Sequence, residues 1–155
     1  MSPVGSKREA GVTLLEMLVV VAIIAVIAGL SFPALSAGLA GVRLASAAGS
    51  AASFLTSAIN NVERREKPAE IVISPKENRI AVFTAAAGDH PVDTLSMPAG
   101  VTVEGEAPHR YLLFPGGAFP RISLVIRSEK GGRRSVEIDP VTAVPKIARL
   151  GADAK

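Results

Sequence analysis

The residues most able to do chemistry are sparse in this chain of 155 residues. Cysteine is absent, and the two histidines, His90 and His109, each lie beside a proline in a predicted loop. The segment 89–93 offers two carboxylates and one imidazole, a set that can bind a metal ion but often arises by chance in a polar loop. No glycine-rich phosphate loop follows a predicted strand, and no serine lies in a nucleophile elbow. The sequence therefore predicts no enzyme, no metal site and no cofactor.

The composition points to a small domain joined to an apolar segment. Hydrophobic residues make up 48% of the chain and charged residues only 20%, which is a low share for a soluble globule. The 17 basic and 14 acidic residues leave a net charge of +3, too small for the total charge alone to indicate nucleic acid or anionic lipid as a partner. Disorder and a multidomain enzyme are both disfavoured.

The apolar residues are concentrated near the N-terminus. Residues 17–30 contain no polar side chain, and the apolar run resumes as far as Leu35. Its length approaches the roughly 20 residues that cross a bilayer as a helix. Lys7 and Arg8 precede it, and the positive-inside rule keeps them in the cytoplasm while the C-terminal part is exported. The segment is therefore predicted to be a single-pass anchor in the inner membrane.

A secretory signal peptide is an alternative interpretation of this N-terminus. A basic start and an apolar core are followed by small residues such as Gly38 and Ala40, which would surround a cleavage site. Glu16 argues against it, because an acidic residue next to the apolar core is foreign to signal peptides. A carboxylate in the bilayer centre costs about 2.5–3.5 kcal/mol on insertion scales and usually has a cationic partner. A position in the headgroup layer would also accommodate Glu16.

The residues around Glu16 resemble the class III signal of type IV pilins and type II secretion pseudopilins. Residues 7–11, KREAG, are followed by VTLLEMLVV at 12–20 and then by the apolar run. The resemblance implies that a prepilin peptidase cuts between Gly11 and Val12, methylates Val12, and leaves Glu16 as the fifth residue. It also implies a proline within the apolar half, where this chain has Pro33. Val12 departs from the phenylalanine or methionine that is most frequent in the family.

The spacing of Gly11, Val12 and Glu16 allows an ion pair between subunits of a filament. A cut after Gly11 leaves an amine on Val12, one helical turn from Glu16. When apolar helices bundle in a filament, the amine of a neighbouring subunit can neutralise the buried carboxylate and so fix the register between subunits. Pro33 removes a backbone donor and predicts a kink in the helix.

The remainder of the chain predicts an α+β fold. Apolar residues spaced by three or four predict an amphipathic helix up to the charged segment 63–67, and Pro68 ends it. The stripe predicted to pack is Leu35, Leu39, Val42, Ala45, Ala52, Leu55, Ile59 and Val62, with a gap over residues 48–49.

After Pro68 the pattern becomes strand-like, with turns predicted at residues 75–78 and 129–132. An antiparallel sheet is expected to pack on the C-terminal half of the long helix, whose apolar face completes a small core. The predicted strands are 70–74, 79–84, 101–104, 111–114, 122–127, 135–138 and 144–147.

The order of these elements resembles the GspH/FimT family of minor pseudopilins and minor pilins. The resemblance implies a leader at residues 1–11, a transmembrane helix at 12–35, an amphipathic half-helix at 36–67 and a periplasmic β-rich domain at 68–155. It implies a minor pseudopilin of type II secretion as the function. Its partners would be the prepilin peptidase, other pseudopilins or pilins in a filament, the inner membrane and the exported proteins. The alternative is a FimT-like minor pilin in pilus assembly or DNA uptake.

A basic cluster bears on that alternative. Arg127, Lys130, Arg133 and Arg134 surround the predicted turn at 129–132 and could contact an anionic polymer such as DNA. Neighbouring acidic residues dilute the charge, however, and no aromatic residue is interleaved for base stacking. A solvated hairpin is the simpler interpretation.

Overall fold

The computed structural model describes residues 13–151, apart from the side chains of residues 32–37. The chain divides into two compact units, Met1–Ser36 and Ala37–Lys155. The predicted leader therefore lies outside the described residues, and the β domain lies almost wholly within them.

One long helix, α1, spans Leu14–Arg65, close to the predicted range. In the first unit its residues Leu14–Ser31 have a mean hydropathy of 2.7, and none of this stretch is buried within the protein. By length and composition it can cross a membrane. The chain stays helical through Pro33, and the kink there remains a prediction.

In the second unit, one face of α1 packs into the core. The face begins at Leu44 and consists largely of alanines, which let the strands approach the helix backbone closely. The prediction was correct from Ala52 onward and wrong at Leu39 and Val42, which are 59% and 67% exposed, whereas Ala48 in the predicted gap is fully buried. Ala45 is half-buried, and the side chain of Leu35 lies outside the described residues. The buried residues of α1 are Leu44, Ala47, Ala48, Ala51, Ala52, Leu55, Ala58, Ile59 and Val62.

Eight strands follow the helix. The second matches its predicted range, and the other predicted strands differ at their ends by up to three residues. A single 3₁₀ turn, Ala85–Ala87, follows the second strand. The strands are β1 Ala69–Ser74, β2 Arg79–Thr84, β3 Asp93–Ser96, β4 Val101–Val103, β5 His109–Leu113, β6 Ile122–Ser128, β7 Arg133–Ile138 and β8 Pro145–Leu150.

The strands form two antiparallel sheets rather than one. The first sheet has the order β3-β2-β1-β5 and the second has the order β4-β6-β7-β8. Strand β3 was not predicted, because Asp93–Ser96 is short, mostly exposed and rich in polar residues. Inward-facing side chains such as Ile71, Ile126 and Val136 are completely or almost completely buried.

Asn78 joins the two sheets. It ends the β1–β2 turn in the left-handed region, with φ of 52°, a conformation that asparagine tolerates better than most residues. Its Nδ2 donates to the Val101 carbonyl at 2.8 Å, and the Val103 N–H donates to its Oδ1 at 2.9 Å. The Asn78 amide therefore links the β1–β2 turn of the first sheet to the backbone of β4 in the second sheet.

Candidate functional site

The start of α1 is organised by a hydrogen bond between Thr13 and Glu16. Glu16 N donates to Thr13 Oγ1 at 3.2 Å, and Met17 N donates to the Thr13 carbonyl at 3.1 Å. Thr13 is thus the N-cap, and Glu16 occupies the third helical position, as in a capping box. Sequence reasoning missed this role, although the spacing Thr-x-x-Glu is its usual signature.

The capping geometry adds a second role for Glu16. A glutamate at this position can return its carboxylate to the N-cap backbone, and a negative charge in the first turn also complements the helix dipole. Glu16 is exposed in the isolated chain. Gly11 and Val12, the predicted processing site, lie outside the described residues, as do Lys7 and Arg8.

One member of the basic cluster, Arg133, is held by an ion pair. Arg133 donates from Nε to Glu104 Oε1 at 2.8 Å and from Nη2 to Glu104 Oε2 at 2.6 Å, a two-point pair that limits its availability to a ligand. The hydrogen bond to Glu104 raises the pKa of Arg133 above its ordinary value. Arg133 therefore ties β7 to the segment that follows β4.

The other cations of the cluster lie on different faces of the hairpin. Arg127 pairs with Arg133 across β6 and β7, whereas Arg134 pairs with Ile126. Because directly opposed residues share a face and neighbouring residues alternate, Arg127 points away from the core and Arg134 toward the helix side. Lys130 is exposed in the turn between the two strands.

The segment 89–93 does not assemble a ligand set. Asp93 Oδ1 accepts a hydrogen bond from the N–H of Thr94 at 2.9 Å, and Asp89 and His90 lie in the connection before β3. Within residues 13–151, no group of three or more histidine, cysteine or acidic side chains is placed to hold a metal ion.

The β7–β8 connection is rigidified by Asp139. Its Oδ1 accepts from the N–H groups of Val141 at 2.9 Å and Thr142 at 3.2 Å, while Lys146 Nζ donates to Oδ2 at 3.1 Å. These bonds, led by the one from the Val141 backbone, lower the pKa of Asp139 to about 2. Ala143 in the same connection has a φ of 56°, which strains a residue with a Cβ.

The N-terminal residues and the fold of the chain were each compared with known proteins. Residues 6–32 match the family model described as the prokaryotic N-terminal methylation motif. No curated protein matches the chain significantly.

Two solved proteins share the fold. The minor pseudopilin EpsH from the type 2 secretion system of Vibrio cholerae aligns with a TM-score of 0.55 and 14% identity, covering 70% of this chain and 98% of EpsH. The type IV minor pilin FimU of Pseudomonas aeruginosa aligns with a TM-score of 0.51 and 15% identity, covering 70% of this chain and 89% of FimU. The chain therefore combines the prokaryotic N-terminal methylation motif with a type IV pilin-like fold.

Proposed function

We propose that the protein is a minor pseudopilin of a type II secretion system, a non-catalytic filament subunit held in the inner membrane by residues 12–35 until it assembles. Its β domain is periplasmic in this proposal. The observation that supports it best is the coexistence of the methylation motif at residues 6–32 with a β domain similar to EpsH. The prepilin peptidase cuts between Gly11 and Val12 and methylates Val12, and the mature chain joins other pseudopilins to assist protein export.

The test of processing is the mature N-terminus, measured by intact-mass and terminal-peptide mass spectrometry with and without a prepilin peptidase. A peptidase-dependent start at methylated Val12 is expected, and Gly11→Val should abolish it. Gly41→Ala is the matched control, because a Cβ at Gly41 meets nothing within 4 Å. A peptidase-independent start near Gly41 would instead indicate an ordinary signal peptide, and the assembly proposal would be wrong.

Glu16 is proposed to pair with the amine of Val12 from a neighbouring subunit. Because Glu16 also occupies a capping-box position, two variants are needed to separate the roles. Glu16→Gln keeps the capping pattern and removes the charge, whereas Glu16→Ala removes both. Peptidase cleavage should persist in both variants, and recovery in purified filaments should fall in both. Normal incorporation of the Gln variant would show that capping suffices and would contradict the charge pairing.

A type IV minor pilin is the second candidate, favoured by the similarity to FimU. A deletion strain distinguishes the two candidates. Loss of exported proteins from the culture medium with surface pili intact supports the pseudopilin, whereas loss of surface pili with normal export supports the minor pilin.

A minor pilin that takes up DNA should bind DNA, and this is tested by a binding measurement. Affinity for DNA should fall with added salt and in a variant carrying Arg133→Ala and Arg134→Ala. Since Arg133 is paired with Glu104, Arg127→Ala with Lys130→Ala is the sharper variant. Absence of DNA binding at low salt would contradict a role in DNA uptake.

A further inference from the structure

Unpaired positive charge is concentrated around the β6–β7 turn. Within the described residues, Arg127, Lys130, Arg134 and Arg149 have no carboxylate within ion-pair distance. Several cations on other strands are instead neutralised locally, although Lys76 in the β1–β2 turn also lacks an ion pair within residues 13–151. The pairs are Arg79 with Glu77, Arg110 with Glu70, Arg121 with Glu137, and Lys146 with Asp139.

The fold brings these cations to one end of the domain. Arg149 on β8 lies directly opposite Arg134 on β7, beside the turn that contains Lys130. The turn packs on α1, because a Cβ added at Gly132 would meet Leu44 Cδ2 at 3.1 Å. Arg43 immediately precedes Leu44 in α1 and is itself exposed.

The charge balance of this end differs from that of the domain as a whole. We name Arg43, Arg127, Lys130, Arg134 and Arg149 the basic end. Glu129 is the one carboxylate in the turn itself, and Glu104 is already occupied by Arg133. Its five cations less the one carboxylate of Glu129 leave a local net charge of +4, whereas the whole chain carries a net charge of +3.

We propose that the basic end binds anionic phospholipid headgroups at the surface of the bilayer that anchors the chain. The proposal rests on the membrane anchoring of the proposed function. Leu44, on which the turn packs, follows Leu35, the last residue of the proposed anchor, by only nine residues. The anchor confines the chain to a bilayer, so lipid headgroups are an available partner, and each cation that contacts the surface strengthens binding about fivefold.

Lipid headgroups fit the basic end better than DNA does. A headgroup surface requires only clustered positive charge, whereas single-stranded DNA also requires aromatic side chains for stacking. The basic end contains no aromatic residue, and its cations are divided between two faces of the hairpin.

The test uses the full chain, whose lack of cysteine permits a single label. Thr102→Cys is suitable, because Thr102 is exposed and lies opposite Arg127 across β4 and β6. An environment-sensitive fluorophore at this site is read in vesicles of phosphatidylcholine alone or with phosphatidylglycerol. Phosphatidylglycerol should shift the emission to the blue, and high salt should reverse the shift.

Matched double variants test the residues. Arg127→Gln with Lys130→Gln should lower the ratio of docked to undocked protein about 30-fold. Arg110→Gln with Arg121→Gln removes the same charge elsewhere and should leave the ratio unchanged. An equal loss in both variants would contradict a localised contact.

The remaining outcomes distinguish a failure of the headgroup contact from a failure of membrane anchoring. If the protein floats with both types of vesicle but its emission is the same in each, the lipid contact is overturned and the anchor is unaffected. Failure to float with either vesicle contradicts the anchor, and with it both the proposed function and this inference. A shift caused by duplex DNA but not by phosphatidylglycerol assigns the basic end to DNA and overturns the lipid proposal.

Discussion

Asn78 offers a direct test of how the two sheets are held together. Its side chain satisfies the Val101 carbonyl and the Val103 N–H, and these two residues are only 1% and 5% exposed. Its backbone carbonyl also accepts from the N–H of Met97 at 3.0 Å. Asn78→Ala removes both side-chain bonds and places an alanine at a positive φ.

The expected loss can be estimated from these parts. Leaving two buried backbone groups without partners costs about 1–2 kcal/mol each, and a left-handed conformation costs alanine about 1 kcal/mol. Asn78→Ala should therefore lower the free energy of unfolding by about 3–5 kcal/mol. Asn78→Gly loses the same bonds without the conformational strain and should lose about 1 kcal/mol less.

The assay is urea unfolding of the full chain in detergent, followed by the fluorescence of Tyr111, the only tyrosine in a chain without tryptophan. Tyr111 packs against the core, so its signal reports on the β domain rather than on α1 alone. Asn60→Ala, at an exposed helical position, is the control and should change stability by less than about 0.5 kcal/mol. A loss below about 1 kcal/mol in both Asn78 variants would refute the proposed link between the sheets.

Two further predictions concern the β7–β8 connection. Ala143→Gly should relieve the strain at φ 56° and stabilise the domain by up to about 1 kcal/mol, which the same urea assay measures; a lower midpoint would contradict the strain. Because the folded-state pKa of Asp139 is lowered from 3.8 to about 2, its contribution is complete above pH 4 and is lost as the pH falls through 2. Asp139→Asn should flatten that part of the stability profile, and an unchanged acid limb would show that other groups set it.

Much of the secondary structure could be predicted because it depends on local patterns. Strand β2 was placed at its observed range, since the continuous apolar run at residues 80–83 closely follows the predicted turn at 75–78. The phase of the helix face was harder to predict between Leu39 and Ala52. Alanine and glycine dominate there and give little contrast between faces, so only the position of the sheets determines that Ala48 is buried and Val42 is exposed.

One candidate site could be predicted from the sequence and the other could not. The apolar segment and the residues around Gly11 and Glu16 form a contiguous motif, and a contiguous motif can be recognised in the sequence without any tertiary contact. The basic cluster could not be interpreted from its composition, because the partner of Arg133 is Glu104, 29 residues earlier in the chain.

The sequence by itself determined the apolar segment, the methylation motif and the change from helix to strands, because each depends on neighbouring residues and their periodicity. Tertiary structure alone decided the division into two sheets, the bridging role of Asn78 and the cations left unpaired at the basic end. These features depend on hydrogen bonds and ion pairs between residues more than 20 positions apart. Such contacts form only when the fold places their partners within about 3 Å of each other.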